Sequence, residues 1–313
     1  MKRVISIVAP VYREERILPL FIEQIGRLID DSSQYDWEVI FVDDGSDDQT
    51  LGIIKGLRAA DSRIKWISFT RNFGHQAALT AGIERARGDA VIMMDADLEH
   101  PVSVLPQLIQ RWSEGYDLVI AVRKDATSQR MSKRFFSAAY YRLLDIMAGM
   151  PIQHAAPDFR LMSRRAVQAF LRFGEVHRFI RGMIAWMGFR VSEVHFDVGK
   201  RVGGASKYSL KRMIRLALDG ITSFSITPLR LIAVLGLFIC MMTLMYACYV
   251  IIVWTYYRQI VLAGWTSLIL SVNFLGGMIL LSLGIIGEYI GRIYEQVKAP
   301  PLYLVSEEDG FGE

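Results

Sequence analysis

Residues 231–257 and 260–287 carry no Asp, Glu, Lys or Arg, the feature that most constrains this chain. Each run exceeds the length needed to cross a bilayer core, about 20 apolar residues at about 1.5 Å each. That excludes a freely soluble protein, although 313 residues would accommodate two ordinary soluble domains. Arg258 is the one charge at the turn between the runs, whereas Lys207, Lys211, Arg212, Arg215 and Arg230 precede the first and Arg292 and Lys298 follow the second. The positive-inside rule therefore places both termini in the cytoplasm, with a multi-pass anchor in the plasma (inner) membrane. The opening Met1-Lys2-Arg3 is followed by a short apolar stretch that Pro10 interrupts, which does not read as a signal peptide. Cys240 and Cys248 share the first run, eight positions apart, so one helix cannot bridge them and no disulfide framework is expected.

The net charge of +4 hides a steep asymmetry. Residues 1–122 hold 13 Lys+Arg against 19 Asp+Glu, whereas residues 123–230 hold 20 against 7. A basic stretch ending where apolar runs begin reads as attraction to anionic headgroups. Without a recognition motif it gives no indication of nucleic acid.

The N-terminal half alternates β-branched runs (Val4–Ala9, Trp37–Val42, Ile64–Phe69, Ala90–Met94, Leu118–Val122) with stretches of helical character. Such βα alternation predicts a mostly parallel α/β sheet with helices on both faces, and ligands bind beyond the carboxyl ends of its strands. After residue 122 the pattern is less regular. The sequence predicts a basic amphipathic helix over Arg130–Met147, a short strand or turn over Asp158–Ser163, one or two helices over Ala166–Met187, and an edge strand over Arg190–Asp197. A glycine-rich loop, Gly199–Ser206, follows. Apolar residues at 210, 213, 214, 217, 218 and 221 then form one helical stripe suited to the headgroup layer.

Two acidic clusters follow predicted strands. Asp43-Asp44-Gly45-Ser46-Asp47-Asp48 follows the second, and clustered carboxylates are tolerated there when a base, a ribose or a cation is to be bound. Asp47 and Asp48 fit the alternative of a turn that caps the next helix. Asp95-Ala96-Asp97-Leu98-Glu99-His100-Pro101 follows the fourth strand, and its alternating carboxylates suit a divalent cation that keeps waters and takes phosphate oxygens. His100 reads as a local structural residue.

Taken in order, VAPVYREE (Val8–Glu15), VDDGSDD (Val42–Asp48), RNFGHQAAL (Arg71–Leu79), DADLEHP (Asp95–Pro101), DFRLMSR (Asp158–Arg164) and KRVGGASKY (Lys200–Tyr208) resemble the inverting, nucleotide-sugar-dependent glycosyltransferases of the dolichol-phosphate-mannose-synthase type. Within that group the chain is similar to bacterial bactoprenol (undecaprenyl-phosphate) glucosyltransferases with two C-terminal spans. The resemblance implies a GT-A fold, a nucleotide diphosphate sugar donor, UDP-glucose for a glucosyltransferase, and a polyprenyl phosphate acceptor. It implies a cytoplasmic catalytic domain over 1–206 containing an interface helix at 130–148, an amphipathic helix at 207–227, membrane helices at 229–257 and 264–290, and a cytoplasmic tail at 291–313. A homo-oligomer is compatible with it.

Carried over residue by residue, the resemblance gives Pro10, Tyr12 and Glu14 a place in the nucleoside pocket, with Asp43 reading the base. It places Asp95 near the ribose and donor sugar and makes Asp97 and Glu99 the ligands of Mg²⁺ or Mn²⁺. Many relatives carry Gln where this chain has Glu99, a departure that adds a charge. Arg201 and Lys207 would grip the diphosphate, with help from Ser206, when the glycine loop closes. Arg123, Arg130 and Arg134 would hold the acceptor phosphate. Asp158 lies in the catalytic set, but a phosphate acceptor is already anionic at neutral pH, so this carboxylate is expected to position groups rather than to take a proton. Rival readings are another sugar (mannose, an N-acetylhexosamine, amino-arabinose) on the same acceptor, or a non-catalytic membrane scaffold or flippase subunit. Retention of every acid and base named here argues against the scaffold.

Overall fold

The computed structural model describes residues 2–123, 158–175, 178, 180–196, 227–257 and 264–312. The predicted helix at 130–148, the glycine loop and the amphipathic segment at 207–226 lie outside the described residues, as do Arg130, Arg134, Arg201, Ser206 and Lys207. The chain divides into two units, one built on a single sheet and one containing two long helices.

The sheet unit is laid down by βα alternation: β1 (Arg3–Val11), α1 (Leu18–Asp31), β2 (Tyr35–Asp43), α2 (Thr50–Ala60), β3 (Ile64–Phe69), α3 (His75–Arg85), β4 (Ala90–Met93), α4 (Leu105–Ser113) and β5 (Leu118–Arg123). Strand β6 (Arg160–Ser163), α5 (Arg164–Phe170), α6 (Ile180–Trp186) and β7 (Val191–Phe196) follow. Spatial order is β7-β5-β6-β4-β1-β2-β3-β8, where β8 is the C-terminal strand Val305–Asp309, with β7 at an edge as predicted. β1 runs parallel to β2 and β4, β2 to β3, and β5 to β7, whereas β6 is antiparallel to both its neighbours.

β1 is central because both its faces are covered. Ile5, Ile7, Ala9 and Val11 pack into the cluster that holds Leu18, Phe21 and Ile25 of α1 and Leu105, Leu108 and Ile109 of α4. Val8 points the other way, onto α3, as strand alternation requires. The approach there is close: a Cβ on Gly82 would lie 2.3 Å from Val8 Cγ1. Helix starts follow local chemistry, with Pro19 and Pro106 in the first turns of α1 and α4. Ser163 Oγ caps α5 by accepting from Ala166 N at 3.2 Å.

Within the predicted tail over 291–313, the last long helix continues to Lys298, and β8 (Val305–Asp309) pairs antiparallel with β3 inside the sheet unit. Tyr303 stacks on Phe69 at 4.8 Å, and Lys55, Arg58 and Arg85 meet Glu307, Asp309 and Glu308 at 2.5, 3.2 and 2.9 Å. The tail reads as merely polar because its apolar residues are few. Its pairing depends on complementary charge and on the open edge of β3, neither of which is local in sequence. Exposed ion pairs contribute little singly, roughly 0–1 kcal/mol, so Glu307→Ala should leave thermal unfolding nearly unchanged. Deleting residues 300–313 should instead lower the unfolding temperature by several degrees and promote self-association, because it uncovers an edge strand. Calorimetry and light scattering on both variants check this.

The second unit contains α7 (Thr227–Tyr257) and α8 (Trp265–Lys298). Among the described residues, Ser271–Lys298 is long and apolar enough to cross a membrane, and Ile232–Tyr246 forms a shorter apolar stretch of α7.

Candidate active site

Parallel pairing aligns the carboxyl ends of β1, β2 and β4, with Val11 opposite Asp43 and Val8 opposite Met93. The polar residues after these strands therefore share one rim of the sheet. Asp43 is fully buried, its Oδ1 accepting from Ser46 N at 3.1 Å and its Oδ2 from Ser68 Oγ at 2.8 Å. Asp44 accepts from Phe73 N and Gly74 N at 2.7 and 3.0 Å, tying this loop to the RNFG turn before α3. Gly45 makes that closeness possible, since its φ is +70° and a Cβ there would lie 2.5 Å from the Arg71 carbonyl carbon. Asp48 accepts from Thr50 N at 3.0 Å at the start of α2, whereas Asp47 does not cap that helix but pairs with Arg13 at 2.6 Å.

After Pro10 at the end of β1, Tyr12 is partly exposed beneath the Arg13 guanidinium, and Glu14 N donates to Thr50 Oγ1 at 2.9 Å. Burial, reinforced by the charges of Asp97, Asp48 and Asp95, pushes the Glu14 carboxyl above its ordinary pKa. Glu14 thus belongs to the same negative field as the second acidic cluster. Asp95 is raised to about 6, first by burial and then by Asp97 and Asp158 against the opposing charge of His75. Asp97 Oδ1 accepts from Glu99 N at 2.9 Å across a turn that puts Leu98 at φ 62°. Glu99 Oε2 accepts from Arg123 at 3.0 Å, so a predicted metal ligand and a predicted phosphate ligand are paired with each other. Among the described residues no group of three or more His, Cys, Asp or Glu is assembled to hold a metal.

His100 is structural, as the sequence suggested, and its position shows why. Its ring is buried and stacks on Phe159 at 4.9 Å, and Nδ1 accepts from Asp95 N at 3.0 Å. Burial and the Arg123 charge lower it to about 4, so it is neutral at physiological pH with its proton on Nε2.

Asp158 is the centre of a cationic cluster. Its Oδ1 accepts from Arg160 at 3.2 Å and from Arg181 Nε at 3.0 Å, and its Oδ2 from Arg181 at 3.3 Å and Gln76 at 3.5 Å. His75 Nε2 lies 3.5 Å from Asp158 Oδ2 and 3.6 Å from Asp95 Oδ1, joining the two carboxylates by charge rather than by short hydrogen bonds. Burial alone would raise Asp158, but His75, Arg181 and Arg160 outweigh it and hold the carboxyl well below the usual range. Such a carboxylate is a poor proton acceptor, which agrees with a positioning role. His75 is net raised, since its two carboxylates overcome the cost of burial. Arg160, fully buried, falls to about 10 and stays charged.

Sequence reasoning assigned no role to His75, Arg160 or Arg181. His75 and Arg160 lie inside the motifs RNFGHQAAL and DFRLMSR, so motif membership could have drawn attention to them. Arg181 lies in the helical stretch predicted over Ala166–Met187 but outside every quoted motif.

The comparisons cover both units. Residues 6–171 match the family described as Glycosyl transferase family 2, and residues 227–293 match the GtrB C-terminal hairpin. The Bacillus subtilis protein named "Putative glycosyltransferase CsbB" is 42% identical over 307 residues, 97% of this chain and 91% of that one. The SfII prophage-derived bactoprenol glucosyl transferase of Shigella flexneri is 39% identical over 303 residues, 97% of each chain. The bactoprenol glucosyl transferase of Shigella phage SfV is 39% identical over 304 residues, 97% of this chain and 98% of that one. With a mostly parallel GT-A sheet whose strand ends gather the acidic motifs, and with these relatives along its length, the chain belongs to glycosyl transferase family 2.

Proposed function

We propose that the protein transfers glucose from UDP-glucose to polyprenyl phosphate, with inversion, at a membrane surface. The observation that carries this reading is the pairing of two fields at one rim. Glu14, Asp95, Asp97 and Glu99 form an acidic pole, and Asp158 with Arg160, Arg181 and His75 forms a cationic one. The names of the Shigella relatives support the sugar and the lipid class.

The acidic pole fits a divalent cation. Burial first, and then the neighbouring carboxylates, push Glu14 and Asp95 above their ordinary values, a cost that a cation would relieve, and hard oxygen donors with few protein ligands suit Mg²⁺ or Mn²⁺ completed by water and phosphate oxygens. Asp97 and Glu99 would hold it, and when bound it would offset charge on the departing diphosphate. Pro10, Tyr12, Glu14 and Asp43 hold the nucleoside, and Asp95 orients the donor sugar. Arg201 and Lys207 grip the diphosphate, while Arg123, Arg130 and Arg134 receive the acceptor phosphate. Occupation of Glu99 by a cation would compete with Arg123 and release its guanidinium toward phosphate. The lipid phosphate oxygen attacks the anomeric carbon directly, and no side chain need take a proton.

Both α7 and α8 cross the membrane on this reading. Strand β8 and the rest of the sheet unit must lie on one side of the bilayer, so the chain between them makes an even number of crossings. With both helices spanning, sheet and tail share one side, and the basic residues that flank the spans favour the cytoplasm. A fluorescent protein fused after Glu313 should be active and a periplasmic phosphatase silent.

Membranes containing the protein should move label from UDP-glucose, but not from GDP-mannose or UDP-N-acetylglucosamine, into extractable lipid. Label in lipid from another donor alone would replace the sugar, and no lipid label from any donor would remove the enzyme reading. Asp97→Asn should abolish divalent-dependent transfer while leaving membrane insertion intact. Unchanged Mn²⁺ dependence of turnover would remove Asp97 from the metal site.

A further inference from the structure

Two arginines share the single carboxylate of Asp158, and they differ in exposure. Arg160 is 2% exposed and sealed beneath the rim, whereas the Arg181 side chain is 40% exposed. Arg181 is nevertheless fixed: Asp158 receives two of its nitrogens, and the start of its helix is pinned where Ile180 N donates to Gln76 Oε1 at 3.3 Å. Gln76 also reaches Asp158, so one side chain of α3 registers both. Across His75, which lies 3.5 Å from Asp158 and 3.6 Å from Asp95, the same cluster reaches Asp95. An accessible guanidinium is thus preorganised beside the acids that face the donor sugar, in a cluster with more positive than negative charge.

We infer that Arg181 is a phosphate ligand of the reaction centre, held in place by Asp158. The inference rests on the proposed reaction, in which both reactants carry phosphate: a monoester on the acceptor and a diphosphate on the donor. A guanidinium fork suits either, and Asp158 orients it without neutralising the cluster.

The test uses the full-length protein in detergent, titrated calorimetrically with farnesyl phosphate and, separately, with UDP. Arg181→Ala should weaken one of these ligands by at least about tenfold, with the unfolding temperature close to wild type. Weaker farnesyl phosphate with UDP unchanged identifies the acceptor phosphate, and the converse identifies the diphosphate. Arg181→Lys keeps the charge opposite Asp158 and should recover part of the lost affinity for the same ligand. If the alanine variant does not fold, Lys decides, since losing the fork should still weaken that ligand measurably. Unchanged affinity for both ligands in a folded variant overturns the inference. These titrations do not depend on which sugar moves, so a wild type that binds both ligands but transfers no glucose refutes the proposed reaction and not the Arg181 contact. Failure of wild type to bind either refutes both.

Discussion

Asp158→Asn is expected to cost the protein both stability and turnover. The side chain is 8% exposed and balances Arg160, which is entirely buried, together with Arg181 and His75. Removing one partner of a buried pair leaves an uncompensated charge and costs about 3–5 kcal/mol. For a chain of this size that is a fall in unfolding temperature of roughly 10 °C. Transfer should fall by about 10²–10³-fold if the cluster orients groups that act in the transition state. The pH dependence gives an independent reading. The folded pKa of Asp158 is depressed below its ordinary 3.8, so its stabilisation is complete above that value and is lost as pH falls through the folded pKa. The stability gap between wild type and Asp158→Asn should therefore narrow under strong acid, and narrow also as pH rises through the raised pKa of His75, whose proton Asp158 helps to hold. A variant as stable and active as wild type at pH 7 would mean that the cluster has no organising role.

Gly45→Ala carries the second large effect. A left-handed backbone costs a non-glycine residue about 1–2 kcal/mol. The new methyl would also lie 2.5 Å from the Arg71 carbonyl carbon, a contact with backbone that cannot rotate away. Overpacking of this kind adds about 1–3 kcal/mol. The strain falls where Asp43, Asp44 and Ser46 meet the turn before α3, so UDP affinity should fall together with the unfolding temperature. Wild-type affinity and stability would show that the loop tolerates a shift the geometry does not allow.

Much of the sheet was legible because each of the first five strands is a β-branched run bounded by polar residues, and parallel order follows from the helices between them. The expected edge strand near residue 191 is present, and polar–apolar alternation over Arg190–Asp197 marks it. β8 was not legible, since pairing with β3 across more than 200 residues leaves no local pattern in a segment such as Val305–Asp309. Within the site, the two acidic clusters announced themselves by charge density at strand ends. Asp43 and Asp44 also do structural work that density does not reveal, bonding to Ser46, Ser68, Phe73 and Gly74. Arg181 was illegible for a different reason: its partner Asp158 lies 23 residues away, and only the fold brings the two together.

On the proposed route the lipid phosphate itself displaces the nucleotide, without a covalent sugar-enzyme intermediate or a protein base. Proton NMR of the lipid product made by purified protein from UDP-glucose, whose glucose is α-linked, tests it most directly. A β-glucosyl phosphodiester, with the anomeric proton coupled to phosphorus, is the predicted result; an α-linked product, or free glucose in place of lipid-linked sugar, would contradict it.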